Sequence, residues 1–227
     1  MPKISVIIPT YNESQHLPLL LSDLSISNEE AEIIIVDCNS EDKTREIAKL
    51  YGSRIYKSKK KNRGWQLNIG AKKATGNWFI FIHADSRLRQ GWLKKVNSVI
   101  RYDENFVYFF KFKINNKKII YRFLEIVVNL RSFIFKDPYG DQGLLIQREI
   151  YFKNKGYIKI PLMEDIDFIK RIKNKITLKM LNIPIYTSSR KWEKTNIIFQ
   201  AIKNWNYRKR FLRGESIKSL YEDYYKN

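Results

Sequence analysis

Cysteine is almost missing from the 227-residue sequence, where Cys38 stands alone. A single thiol excludes an internal disulfide and a cysteine-rich zinc site, and the count suits a reducing compartment. Histidine is nearly as scarce, with only His16 and His83. No serine–histidine–acid arrangement stands out, and His16 falls in a helix-patterned stretch where a packed or exposed imidazole is ordinary. The lysine signature of a phosphate-binding P-loop is missing. So is an apolar run long enough to span a bilayer, since the best candidate, 119–135, is interrupted by Arg122, Glu125 and Arg131. The N-terminal run Ile4–Ile8 ends at Pro9 without a small-residue cleavage site behind it, so no signal peptide is read. No internal repeat or flexible linker divides the chain. These absences predict a cytoplasmic protein, soluble or peripheral on the inner face of the membrane.

Acid is the remaining shortage: 23 Asp and Glu face 43 Lys and Arg, for a formal charge of +20. Such an excess can attract nucleic acid, an anionic membrane or a phosphate-bearing substrate. It also arises from a drift toward Lys, Asn and Ile that spreads charge over every surface. The bases are dispersed, with dense clusters only at Lys57 to Arg63 and Lys203 to Arg213. Drift therefore accounts for most of the excess, and local function is sought at those two clusters.

The composition contains ample core material, with 44% hydrophobic and 14% aromatic residues. Over the first hundred positions short apolar runs alternate with helix-period segments. Strands are predicted at Ile4–Ile8, Glu32–Val36, Arg54–Lys57 and Trp78–Ile82. Helices are predicted at Glu13–Ser25, Thr44–Tyr51 and Trp65–Ala74. Strands apolar on both faces and separated by helices predict an α/β fold with a mostly parallel central sheet. The second half is less regular, with strands expected at Phe106–Lys113, Leu144–Gln147 and Ile183–Thr187. Helical patterns cover Lys117–Phe135, Asp165–Lys173 and the chain from Thr195 onward.

Parallel α/β sheets bind ligands at the carboxyl ends of their strands, so the residues that leave each strand matter most. The first strand exits into Pro9-Thr10-Tyr11-Asn12-Glu13, the second into Asp37-Cys38-Asn39-Ser40, the fourth into His83-Ala84-Asp85-Ser86. Carboxylates thus converge on one sheet edge, where Asp85 can hold a hard divalent cation against phosphate oxygens. A turn or helix-cap role remains open for Asp37.

Together these strings resemble family-two glycosyltransferases, as do Val6 to Glu13 and Val36 to Thr44 taken whole. Further segments are similar to one bacterial subgroup of that family. They are Gly64 to Ala71, His83-Ala84-Asp85-Ser86, Tyr139-Gly140-Asp141-Gln142, Pro161-Leu162-Met163-Glu164-Asp165 and Thr187 to Glu193. The resemblance implies the GT-A fold, a nucleoside-diphosphate sugar donor (UDP preferred) and inverting transfer to a hydroxyl acceptor, lipid-linked or small. It implies that Pro9, Tyr11, Glu13 and Asp37 cradle the base and ribose. Asp85 matches the last acid of the family's Asp-x-Asp motif, which holds Mg²⁺ or Mn²⁺, while His83 replaces the first acid. Asp165 matches the general base, with Glu164 in support, and a helix-capping role is the alternative. Arg190 and Trp192 would close over the donor phosphates. Arg63, Gln66, Asn68 and Ala84 lie along the donor edge, and Asp141 and Gln142 on the acceptor side.

Residues 1–194 are expected to form the catalytic domain and 195–227 a helical extension packed on it or on a membrane surface. Ile198, Ile202 and Trp205 recur there at helical spacing among basic residues, as in a membrane-surface helix. Two rival readings are a non-catalytic sugar-nucleotide binding module and a basic nucleic-acid-binding protein. The second leaves the acids at the strand ends unexplained, so no nucleic acid is expected.

Overall fold

The computed structural model describes residues 4–25, 31–102, 106–193 and 197–226. Its first part alternates β1 (Ile4–Thr10), α1 (Leu17–Ser25), β2 (Ala31–Asp37), α2 (Thr44–Leu50), β3 (Arg54–Lys57), α3 (Arg63–Lys73) and β4 (Trp78–Phe81). A short β5 (Arg87–Leu88) and α4 (Trp92–Tyr102) lead to β6 (Phe106–Ile114), followed by α5 (Ile119–Phe135). A 3-10 turn at Gly140–Gln142, β7 (Leu144–Gln147), α6 (Arg148–Lys153), α7 (Glu164–Ile172) and β8 (Thr177–Thr187) come next. The chain closes with α8 (Arg190–Glu193), α9 (Ile197–Leu212) and α10 (Ile217–Lys226). The expected domain boundary at residues 194 and 195 lies outside the described residues, as do the side chains of Lys191, Trp192 and Ile198.

The strands form one sheet in the order β3-β2-β1-β4-β7-β6-β8-β5. Strands β3, β2, β1 and β4 are mutually parallel, β7 runs against both β4 and β6, β8 is parallel to β6, and β5 runs against β8. Only β7 and β5 therefore oppose the rest, so the sheet is mostly parallel, as the sequence predicts. Side chains alternate between its faces. Val6 and Ile8 pack with α1, α2 and α4 through Leu20, Ala48 and Val96. On the other face Ile7 and Val36 pack with α3 and α7 through Leu67, Ala71 and Phe168.

Several elements differ from the sequence expectation. Helix α1 starts at Leu17 rather than Glu13, because Asn12 is left-handed (φ 53) and the Glu13 N–H is held by Thr44 Oγ1 at 2.8 Å. Helix α4 was not expected, although Trp92, Leu93, Val96 and Ile100 line its buried side at helical spacing. Strand β8 begins six residues before the expected Ile183, at Thr177. Its alternation of exposed and buried residues there is weak, and Pro184 interrupts the pattern.

Helix α5 is unusual in what it turns inward. Strand β6 has a β-bulge between Phe110 and Lys111 and pairs with β7 only at Tyr108 and Phe109. Beyond that point the β7-side edge is completed by side chains. Asn129 accepts from Phe112 N at 2.8 Å and donates to Phe112 O at 2.9 Å, while Glu125 accepts from Ile114 N at 2.8 Å. Gln142 reaches Phe110 O at 3.5 Å and takes the Ser132 hydroxyl at 2.6 Å. An unpaired strand edge must find partners, and this polar ladder supplies them. The buried residues of α5 are consequently Tyr121, Glu125, Asn129 and Ser132.

Close approach of α3 to β1 rests on Gly70, where an added Cβ would run into Ile7. Overpacking of this kind costs about 1–3 kcal/mol. Gly70→Val is expected to lower stability by that amount, read as a lower urea midpoint with an unchanged slope.

Candidate active site

The ends of β1 and β2 interlock before any ligand is considered. Asp37 is fully buried. It accepts from Thr10 Oγ1 and Ser40 N, both at 2.9 Å, and also from the Ser40 hydroxyl. Ser40 Oγ in turn accepts from Asn12 N at 2.9 Å, and Asn12 Oδ1 accepts from Glu41 N at 2.9 Å. Asn12 and Asn39 both adopt left-handed backbone, with φ of 53 and 51, a conformation asparagine tolerates better than most residues. Gln66 is also buried and donates to Thr10 O at 3.0 Å and Val36 O at 2.7 Å. Asp37 and Gln66 thus hold backbone. The exposed surface they support carries Tyr11, whose ring lies 3.8 Å from Lys61 Nζ, next to half-buried Pro9.

Arg190 joins the far end of the chain to this edge. Its Nη2 lies 2.9 Å from Glu13 and 3.2 Å from Asp85. Ala84 is buried beneath them. Trp192 belongs to α8, and its side chain is outside the described set.

A second cation organises the acids of α7. Arg63, at the start of α3, bonds Glu164 through Nε, lies 3.3 Å from Asp165 through Nη2, and meets His83 Nε2 at 3.0 Å through Nη1. The Gly140 N–H donates to Asp165 Oδ2 at 2.7 Å. Two glycines allow this convergence: a Cβ on Gly64 would lie 2.7 Å from Ile158 O, and one on Gly140 would lie 2.9 Å from Asp165 Oδ2. Met163, directly before the acids, is held at φ 67. That conformation costs a non-glycine residue about 1–2 kcal/mol, which packing of Met163 and Ile166 against Tyr207 and Leu220 of α9 and α10 offsets. Burial raises the pKa of Glu164, Arg63 opposes that shift, and Asp165 adds to it.

The result is a cleft lined by Arg63, His83, Tyr139, Gly140, Glu164 and Asp165. Asp165 reaches it with its side chain 15% exposed, whereas Glu164 is 2% exposed behind it. Asp141 is half-buried nearby, while Gln142 faces the α5 ladder instead of the cleft. Asn68 is turned away as well, donating to Tyr157 O at 3.3 Å. Three aromatic residues escaped sequence reasoning. Tyr139 sits in a motif but carried no role; Arg131 stacks on its ring at 3.6 Å. Tyr157 lines the cleft, its hydroxyl pKa raised by burial. Tyr224 returns on α10, its pKa raised by burial, close enough to feel the charges of Arg63 and Asp165.

Among the described residues no cluster of three acid, histidine or cysteine ligands exists. Asp85 offers one carboxylate beside Glu13, and His83 is directed at Arg63. That donor set fits a cation such as Mg²⁺, which is commonly held by one or two carboxylates with phosphate oxygens completing its shell.

The profile for Glycosyl transferase family 2 matches residues 5–164. The 4,4'-diaponeurosporenoate glycosyltransferase of Staphylococcus haemolyticus is 37% identical over 92 residues, 37% of this chain and 24% of that one. Poly(ribitol-phosphate) beta-N-acetylglucosaminyltransferase TarS of Staphylococcus aureus is 26% identical over 177 residues, 74% of this chain and 29% of that one. The chain therefore spans about a quarter to a third of the length of these relatives. Among solved structures, TarS 1-349 with UDP matches with a TM-score of 0.68 at 22% identity, covering 82% of this chain and 60% of that one. The same protein has been solved with UDP-GlcNAc. GalNAc-T7 with UDP, GalNAc and Mn²⁺ matches with a TM-score of 0.64 at 16% identity, covering 83% and 44%. These likenesses establish the GT-A fold expected from the sequence.

The raised pKa of Glu164 has a definite consequence. For a carboxyl shifted upward, the stability it contributes is complete below its ordinary 4.5 and is lost as pH rises through the folded value. Glu164→Gln is expected to remove that decline, so its urea midpoint should change less than the wild type's between mildly acidic and neutral pH. Parallel profiles would mean that Glu164 does not titrate in this range.

Proposed function

The chain belongs to glycosyl transferase family 2, and from that membership we propose that it moves a sugar from UDP to an acceptor hydroxyl, with inversion at the anomeric carbon and Asp165 as general base. The observation that carries this reading is the placement of Asp165. It is the partly exposed carboxylate of the cleft, fixed by the Gly140 N–H and faced by Arg63. An acceptor hydroxyl is a poor nucleophile until its proton has a destination. As the new sugar–oxygen bond forms, the proton passes to Asp165 and the bond to the donor's phosphate oxygen breaks, releasing UDP. Glu164 acts from behind by holding Arg63, which supplies the counter-charge for both acids.

The donor site in this proposal is the edge formed by β1, β2 and β4. The base and ribose lie against Pro9, Tyr11 and Lys61, on the turn that Asp37 and Gln66 organise. Arg190, now shared between Glu13 and Asp85, is the cation that meets the donor phosphates. Asp85, with Glu13 adjacent, would hold Mg²⁺ or Mn²⁺, which would supply charge neutralisation for the leaving diphosphate. Ala84 and His83 floor this edge, with Asn68 supporting it through α3 and Trp192 on α8 placed by motif. Asp141 and Tyr139 border the acceptor side, and Gln142 supports them from the ladder. The UDP preference is supported by TarS structures with UDP and UDP-GlcNAc, and the metal by Mn²⁺ in GalNAc-T7. A hexosyl donor is the expected class. The proposed place of action is the cytoplasmic face of a membrane. No described helix is long and apolar enough to cross one.

Two measurements test this. Calorimetric titration with UDP and GDP, with and without Mn²⁺, is expected to show metal-dependent binding of UDP, weakened by Asp85→Ala. No binding of either nucleotide to the folded protein would overturn the donor site. Asp165→Asn is expected to keep UDP affinity while turnover falls about 10²–10⁴-fold; undiminished turnover would remove Asp165 as the base.

A further inference from the structure

Helix α5 is amphipathic the wrong way round for a water-facing helix. Its buried positions include Glu125, Asn129 and Ser132, spent on the open edge of β6. Its exposed positions, nine in all, are each Ile, Val, Leu or Phe, among them Phe123, Ile126, Val127, Leu130 and Phe133, at 40 to 75% exposure. None of these nine positions belongs to the buried core. An apolar face along a 17-residue helix, roughly 25 Å long, far exceeds the scattered exposure normal for a protein surface.

The rim of this face is basic. Lys117, Lys118 and Lys136 stand at the two ends of the helix, Arg122 and Arg131 are tied to the fold, and the single acid between residues 115 and 136 is Glu125. That acid is buried and paired with Lys113 at 2.8 Å and Arg122 at 2.9 Å. Helix α9 continues the surface. Its first residue, Ile197, packs on the same buried cluster of Phe112, Ile114 and Tyr121 as Leu124 and Val128 of α5. Its Arg208 pairs with Asp137, just past the end of α5. Along α9, Phe199, Ile202 and Trp205 are exposed, with Lys209 4.9 Å from the Trp205 ring.

We propose that the outer face of α5, extended by α9, lies on an anionic lipid bilayer, its apolar side chains in the acyl boundary and its basic rim among the headgroups. An in-plane helix with an apolar face and flanking Lys and Arg has the properties such binding needs. Charge decides between occupants. A second copy would bring another chain of +20 and another basic rim against this one, whereas an anionic surface complements both rim and net charge. The surface also leads to the cleft: α5 ends at Phe135, and Pro138, Tyr139 and Gly140 line the cleft beside Asp165. Resting on the glycosyltransferase reading, this identifies the acceptor class as an amphiphile whose hydroxyl is presented at the membrane interface.

Flotation of the full chain with vesicles of equal parts phosphatidylglycerol and phosphatidylcholine tests the surface. The chain is expected to float with them, less strongly in high salt and on phosphatidylcholine alone. Phe123→Ser, Ile126→Ser and Leu130→Ser combined are expected to lower vesicle affinity about a hundredfold, with thermal midpoint and UDP affinity kept. Failure of the wild type to float overturns the proposal, including the case where it dimerises through these residues instead. So does undiminished binding by the triple variant, which would assign the contact to the basic residues of α9. Vesicle binding by a chain that binds no nucleotide would uphold the surface while refuting the donor site.

Discussion

One guanidinium holds the acid-lined cleft of the molecule together. Glu164 and Asp165 are neighbours in sequence and point into the same confined space, where water is scarce and like charges repel. Arg63 meets both and touches His83 as well. Leaving such a buried acid without its cation typically costs about 3–5 kcal/mol, which makes the position of α3 relative to α7 a condition for the site to exist. The glycines follow from that condition. Gly64 lets α3 come up to Glu164, and Gly140 lets a backbone N–H reach Asp165. The strained Met163 turn follows too, since it starts α7 with both acids directed toward Arg63.

The edge formed by β1 and β2, the proposed donor site, is built on a different division of labour, with buried polar groups bracing the turns and Tyr11 left exposed. Asp37 and Gln66 spend their hydrogen-bonding capacity on Thr10, Val36 and Ser40. That rigidity is what presents Tyr11 and the two left-handed asparagines in fixed positions, and prepositioned contacts lose less entropy on binding. Arg190 closes the arrangement from 177 residues away along the chain. Being shared between Glu13 and Asp85, it ties the C-terminal part of the domain to the strand ends.

Most of the sheet was legible because its signal is local. Ile4–Ile8 and Trp78–Ile82 are continuous apolar runs, and the turns after them carry the polar residues that a parallel sheet places at one edge. The strand ends from which Asp37 and Asp85 emerge were likewise readable, because each follows such an apolar run. Which acids face a ligand was not. Asp37 and Gln66 stand in the same motifs as Tyr11 and Asp85, and only packing separates a side chain that braces a turn from one that borders a cleft. Arg63 reads from the sequence as one more residue of the donor edge, because nothing local announces that Glu164, 101 residues on, will take it. Tyr224 had no signal at all, since its place in the cluster with Met163 and Ile166 comes from α10 folding back on α7.

The segment 119–135 makes the same point more sharply. Read along the chain, Arg122, Glu125 and Arg131 interrupt an apolar run and argue against a membrane span. Placed in the fold, Glu125 turns inward to complete the bulged edge of β6, and Arg122 follows it, donating to Ile114 O at 2.9 Å and Asn116 O at 2.6 Å. Arg131 lies over Tyr139. The polar residues are therefore consumed by the fold, and the apolar ones are what remains at the surface. A general drift in composition can account for a high net charge spread over the molecule. It does not account for a helix whose nine exposed positions are all apolar while the bases stand at its margins. Arrangement carries the functional information here, and the open edge of one strand is what converts a broken hydrophobic run into a continuous hydrophobic face.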